Sequence, residues 1–173
     1  MNTFAHIKNI GKYDKVSYYS VVLENENNSI FENFIAVHEK TNKEKLYHIV
    51  KWIEVIGKKY GAQPYLFRPE GEIADTSALP PATNKNPSYI ENGKKKSNSL
   101  RLYCLRANEH VVFLFNGDLK TAQKAQDCPN VNKHFKLANQ ITKALDEAFK
   151  QGEIKWNETQ SDIVFDSDLT IHF

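Results

Sequence analysis

Residues Leu100 to Lys120, LRLYCLRANEHVVFLFNGDLK, decide how this chain is read. From Leu100 to Arg106 the residues alternate, with Leu100, Leu102 and Cys104 on one side and Arg101, Tyr103 and Leu105 on the other, the period of a β-strand. Val111 to Phe115 is apolar on both sides, as in a strand covered on both faces. Ala107-Asn108-Glu109-His110 between them is short, polar and suited to a hairpin turn. Arg101 is the residue to explain, because an arginine flanked by leucines in a core hairpin needs either an ion-pair partner or a groove to face.

Outward from the hairpin, Val16 to Leu23 (VSYYSVVL) is β-branched and aromatic and reads as a first strand. Ser29-Ile30-Phe31-Glu32 has capping-box spacing and predicts a helix to about Lys40. Thr41-Asn42-Lys43-Glu44 repeats that spacing before Leu46, Ile49, Val50, Ile53, Ile56 and Tyr60 recur at helical period, with Gly61 as the stop. Tyr65 to Arg68 reads as a short strand cut off by Pro69 and Gly71. Asp75 to Ser99, with three prolines, several asparagines, Lys94-Lys95-Lys96 and no apolar period, reads as a long mobile loop.

Beyond the hairpin, Asn116-Gly117-Asp118 is expected to turn, and Pro129 to open a helix over Val131 to about Lys150, with Gly152 ending it. From about residue 152 a C-terminal extension carries weak strand signals and is expected to dock on the body. The expected architecture is one α+β domain spanning 1–173, an antiparallel sheet with the helices packed on one face.

Composition narrows the chemistry. The chain has 173 residues, 40 % of them hydrophobic, enough for the core of one domain. Basic residues number 23 and acidic ones 21, a net +2 that does not by itself call for nucleic acid. The distribution is uneven: Lys94 to Lys96, Arg101, Arg106, Lys120, Lys124, Lys133 and Lys136 concentrate basic charge at 94–136, and the tail is acidic. With no long apolar run and no signal-peptide order at the N-terminus, a soluble cytoplasmic protein without membrane partners is expected. Cys104 and Cys128 read as free thiols. No Cys/His spacing suits a metal, and no Gly-rich phosphate loop or nucleophile elbow is present, so no cofactor is expected.

What remains is a set of cations and an aromatic: Arg68, Arg101, Tyr103, Arg106, Lys120 and Lys124. Arginine grips phosphate with two parallel N–H groups, and a tyrosine ring can stack on an unpaired base. RNA cleavage through the neighbouring 2′-hydroxyl needs a base, a cation for the charged phosphorane and an acid for the leaving oxygen, all of which side chains can supply without metal.

The succession Leu100-Arg101-Leu102-Tyr103, a hairpin, Val111 to Phe115, Asn116-Gly117-Asp118-Leu119-Lys120-Thr121, Cys128-Pro129 and a helix containing Ala138 resembles the RelE/ParE toxin superfamily, nearest its HigB-like, phage-derived branch. The helical hairpin Ser29 to Tyr60 falls where that family has its two N-terminal helices. The chain departs from the pattern at Thr121, where the family often has a second lysine. It departs again before Arg101, where Asp75-Thr76-Ser77-Ala78-Leu79 and a long loop stand in place of an acidic-leucine-arginine strand. The resemblance implies a RelE-like α+β fold and a toxin of a type II toxin-antitoxin system, a ribosome-dependent mRNA endonuclease restrained by a cognate antitoxin. It implies Arg101 and Lys120 as catalytic residues. Arg68, Arg106 and Lys124 are then expected to bind the RNA backbone, and Tyr103 to stack a base. The alternative is a non-catalytic or degenerate member that grips a protein partner in the ParE manner.

Overall fold

In the computed structural model, which describes residues 3–70, 75–122 and 127–173, a mixed α+β fold is built on a largely antiparallel seven-stranded sheet. In chain order the elements are β1 (Phe4–Lys12), β2 (Ser17–Leu23), α1 (Ile30–Thr41), α2 (Lys43–Val55), β3 (Arg68–Pro69), β4 (Thr76–Leu79), β5 (Ile90–Glu91), β6 (Lys94–Lys95), β7 (Leu100–Asn108), β8 (Val111–Leu119), α3 (Pro129–Lys150), β9 (Ile154–Trp156), β10 (Ile163–Phe165) and β11 (Ile171–His172). The sheet order is β11-β1-β2-β8-β7-β4-β3. β8 is central, antiparallel to β7 and parallel to β2 through Ser17 opposite Val111 and Tyr19 opposite Phe113.

The hairpin alternation carries through to the two cores. Tyr103, Leu105, Val111, Phe113 and Phe115 pack with Phe135, Ala138, Ile141 and Leu145 of α3. Leu100, Leu102, Cys104, Val112 and Leu114 pack with Phe34, Leu46, Ile49, Trp52 and Ile53 of α1 and α2. The helices therefore cover both faces of the sheet, not one. The physical reason was already in Val111 to Phe115: a strand apolar on both sides needs an apolar layer against each.

Local signals place the helices. Ser29 accepts the Glu32 N–H at 3.1 Å while the Glu32 carboxylate accepts the Ser29 N–H at 2.9 Å, closing the capping box of α1. The repeated device at Thr41 does not form. Thr41 lies inside α1 and its hydroxyl donates to Val37 O, while Asn42 precedes α2 without a side-chain cap. After α2 the chain runs through a π-helical turn, Ile56–Tyr60, and stops at Gly61, whose φ of +74° favours glycine. Pro129 opens α3 where its missing N–H costs nothing, and Gly152, φ +76°, closes it.

Four expectations are corrected. Residues 76–79, expected in a loop, form β4, a buried strand between β7 and β3. Its small residues Thr76, Ser77 and Ala78 give no period, and partners on both sides supply the order that composition lacks. Tyr65 belongs to a short 3-10 turn, Pro64–Leu66, and only Arg68–Pro69 pair as a strand. Asn116-Gly117-Asp118 continues β8, with Gly117 opposite Leu102 and Asp118 opposite Arg101. β1 has no counterpart among the expected elements; pairing with β2 on one side and β11 on the other orders it. The tail docks through that β11 pairing and through Asp162, which accepts the Tyr19 hydroxyl at 2.5 Å and pairs with Lys12 at 2.7 Å.

Gly117 sets how closely β8 approaches the strand that carries Arg101. A Cβ at this position would lie 1.8 Å from Arg101 O, so any side chain must part the two strands. Gly117→Ala is expected to destabilise the fold by about 3 kcal/mol or more, read as a lowered midpoint in denaturant titration.

Candidate functional site

The edge of the sheet formed by β3, β4 and β7 brings cations from distant parts of the chain together. Arg68 lies opposite Ala78, and Ala78 opposite Tyr103, so Arg68, Tyr103 and, two residues earlier on β7, Arg101 belong to the face that α3 covers. Lys120 follows β8, its N–H bonded to Ser99 O at 2.8 Å, which holds it beside the start of β7. The sequence reading missed Glu70, around which they gather. Lys120 Nζ lies 3.1 Å and Arg101 Nε 4.0 Å from its carboxylate. The Arg68-Pro69-Glu70 spacing was the available signal: residues two apart on a strand share a face.

The cluster is largely dehydrated: the side chains of Glu70, Arg101 and Lys120 are 7 %, 12 % and 14 % exposed. Arg101 Nη1 donates to Asn98 O at 2.5 Å and Leu100 O at 3.1 Å, while its buried Nε has no hydrogen-bond partner among the described residues. Arg68 Nε donates to Pro80 O at 2.7 Å. Burial first, and then the neighbouring Arg68, press the Arg101 pKa below its ordinary value, while Glu70 opposes them. Burial also lowers Arg68, again against Glu70. Among the described residues, Lys120 and Arg101 pair with the Glu70 carboxylate and Arg68 stands near enough for its charge to act on both Glu70 and Arg101, in a space where water screens charge poorly.

Other residues singled out from the sequence lie elsewhere. Tyr103 is fully enclosed, its ring 5.5 Å from that of Phe135, its hydroxyl without a hydrogen-bond partner among the described residues and its ionisation pushed upward by burial. It is core, and the expected base stacking on it is corrected: no ring face is open, because the strand position that aims it beside Arg101 also aims it under α3. Arg106 sits at the other end of β7, about 17 Å along the strand from Arg101, where its Nε donates to Ala62 O. It does not join the cluster. Lys124 lies outside the described residues. Among the described residues no group of three His, Cys, Asp or Glu side chains is placed to hold a metal ion, and no helix is long and apolar enough to cross a membrane.

Cys128, at the N-terminus of α3, borders the same region. Both cysteines are free and buried. Burial raises the Cys128 thiol, but the Thr121 hydroxyl and N–H, each 3.2 Å from Sγ, together with the Ala122 and Val131 amides, outweigh it and bring the pKa to about 6. The 22-residue helix behind it favours negative charge at that end.

Comparison with known proteins finds no matching family model, no matching curated protein and no matching solved structure. The assignment of function therefore rests on the residues themselves.

The Cys128 arrangement makes stability depend on pH. Between about 6 and the ordinary 9.0 the folded thiol is ionised while the unfolded one keeps its proton, so the unfolded chain binds more protons and stability rises with pH. The contribution is present above that window and lost as pH falls through about 6. Thermal midpoints from pH 5.5 to 9 are expected to climb more steeply for the wild type than for Cys128→Ala; parallel curves would show that Cys128 stays a thiol.

Proposed function

We propose that this chain is a toxin of the RelE/ParE kind, a RelE-like fold that cuts messenger RNA on the ribosome without a metal and is restrained by a cognate antitoxin in the cytoplasm. The observation that carries the reading is the pairing of Arg101 and Lys120 with the Glu70 carboxylate and the nearness of Arg68 to both. The topology supports it too: a strand, a helical hairpin, three antiparallel strands β4, β7 and β8, the last returning beside the first, then an amphipathic helix. β4 also stands where the sequence offered only a loop in place of the family's strand before Arg101.

In this reading a scissile phosphate enters the cluster and competes with Glu70 for Arg101 and Lys120. Its non-bridging oxygens take the N–H groups that Glu70 held, and the cations offset the charge that grows on the phosphorane. The 2′-oxygen attacks phosphorus while its proton passes to the released Glu70 carboxylate. The bond to the 5′-oxygen breaks, and the Lys120 ammonium supplies that oxygen with a proton. The products are a 2′,3′-cyclic phosphate and a 5′-hydroxyl, with Glu70 protonated and Lys120 neutral until water restores both. Arg68 binds the strand's backbone next to the bond that is cut.

A second reading has a specific observation behind it. Glu70 closes the cluster from inside, and Tyr103 offers no face to a base. Both suit a non-catalytic module of the same fold that grips a protein partner, as in the ParE branch.

Removing Arg101 and Lys120 alone would leave Glu70 buried with little compensation, at a cost to folding of about 3–5 kcal/mol. The decisive comparison is therefore the triple variant Arg101→Ala, Lys120→Ala, Glu70→Gln, checked for a cooperative melt. It is expected to fold, to stop arresting growth on expression and to cut message in a translating extract at least about two orders of magnitude more slowly, the loss of one cation at the transition state setting the floor for a variant that also lacks the base and the acid. A folded triple variant that still cuts would move the site elsewhere, and a wild type that neither binds ribosomes nor cuts would favour the binding module.

A further inference from the structure

Between α2 and residues 80–98 lies a cleft of about 510 Å³, within the size range of small-molecule and nucleotide sites. Its wall is built from side chains whose hydrogen bonds are already committed. Asn98 Nδ2 donates to Lys45 O and to His48 Nδ1, both at 3.0 Å, and Asn98 Oδ1 accepts the Leu100 N–H at 2.9 Å. With Nδ1 accepting, His48 carries its proton on Nε2 and donates it to Pro87 O at 2.9 Å, and burial lowers its pKa. Trp52, Pro80 and Pro81 make an apolar floor.

Other groups lining the cleft keep capacity for a ligand. The Tyr89 hydroxyl is buried, in a side chain 4 % exposed; among the described residues it makes no well-formed hydrogen bond, although Lys45 and Glu91 lie close to it. A buried donor poorly met is costly unless something else satisfies it. Lys95 and Lys96 of the β5–β6 hairpin stand exposed at the mouth. Lys96 reaches only Glu91, at 3.5 Å, and Lys95 makes no ion pair among the described residues. Arg68 lines the cleft and also faces Glu70, so cleft and cation cluster share a wall.

We infer that this cleft seats a nucleotide of single-stranded RNA next to the bond cut at the Glu70 cluster, its phosphates on Arg68, Lys95 and Lys96, its ring over the proline floor and a polar edge on the Tyr89 hydroxyl. An apolar floor, one hydroxyl and a cationic mouth together match a phosphorylated planar ring better than a bare anion, which needs no floor, or an acidic peptide, which needs no enclosed slot. A strand fits better than a free nucleotide because Arg68 ties the slot to a second phosphate position. The inference rests on the RNA-cutting reading and adds the path of the flanking strand.

The test measures binding away from the ribosome, so it is independent of cleavage. A fluorescein-labelled hexauridylate with methylated 2′-hydroxyls, which cannot be cut, is titrated with the full chain and followed by anisotropy across a salt series. Lys95→Gln with Lys96→Gln is expected to weaken binding and to flatten the slope of log affinity against log salt by about 1.4, the value for two lost phosphate contacts. Tyr89→Phe is expected to weaken binding about fivefold while leaving the melting midpoint nearly unchanged, because it deletes a buried hydroxyl that makes no well-formed hydrogen bond among the described residues. A purely structural tyrosine would not separate the two effects. Unlabelled hexauridylate is expected to displace the probe at a lower concentration than inorganic polyphosphate of equal charge. The inference is overturned if the wild type does not bind the probe, if both variants bind as the wild type does, or if polyphosphate competes equally. Message cutting in a translating extract judges the nuclease reading separately, so a protein that cuts yet fails this test loses only the cleft.

Discussion

β8 has to be covered on both faces and paired on both edges, and most of the structure answers that demand. Val112 and Leu114 press into α1 and α2, while Val111, Phe113 and Phe115 press into α3 and the tail. Burying a residue of this size stabilises by about 1.5–3 kcal/mol, so five in succession make one strand the anchor of two cores. The parallel pairing with β2 follows from the same need. The chain leaves β2, crosses one face as the α1–α2 pair and comes back through β4 and β7 before β8 slots in beside β2. A central strand reached last in the sheet's main run ties early residues to late ones, so the first and last thirds of the chain depend on each other.

That arrangement also explains how a charge cluster survives at the sheet's end. Gly117 lets β8 approach the backbone of Arg101 closely, and the Lys120 N–H to Ser99 O bond carries the approach one residue further. Arg101 and Lys120 come from neighbouring strands held in fixed register, so the cost of gathering like charges falls on the scaffold rather than on flexible side chains. One carboxylate offsets part of that repulsion. On the proposed reading, the resting carboxylate and an incoming phosphate would be alternative occupants, and the affinity for phosphate would depend on how far the exchange relieves the repulsion between Arg68 and Arg101.

The segment from Pro80 to Asn98 changes meaning on this scaffold. Polar, proline-rich composition describes what the segment cannot do by itself, which is bury a core. It does not describe what the surrounding surface does for it: His48 and Lys45 of α2 hold it at Pro87 and Asn98, and Arg68 holds its other end at Pro80. Its lysines consequently stand at the mouth of a defined cleft and not on a free tether.

Periodicity alone determined the elements whose burial repeats with the backbone: the Leu100–Phe115 hairpin, α1 with its Ser29–Glu32 box, the stripe of α3 and its Gly152 stop. Arg101 and Lys120 were visible as cations in unusual places, and a resemblance gave them a use. The tertiary structure alone decided what depends on neighbours distant in sequence. β4 is too short and too small-sided to announce itself. The placement of α3 opposite α1 and α2 is a matter of handedness and connection, not of period. Glu70 became the centre of the site only when Arg68, Arg101 and Lys120, up to 52 positions apart, met around it. Tyr103 shows the limit from the other side. Alternation places it correctly beside Arg101, yet whether that face meets a ligand or a helix is settled by α3, whose first residue lies 26 positions away.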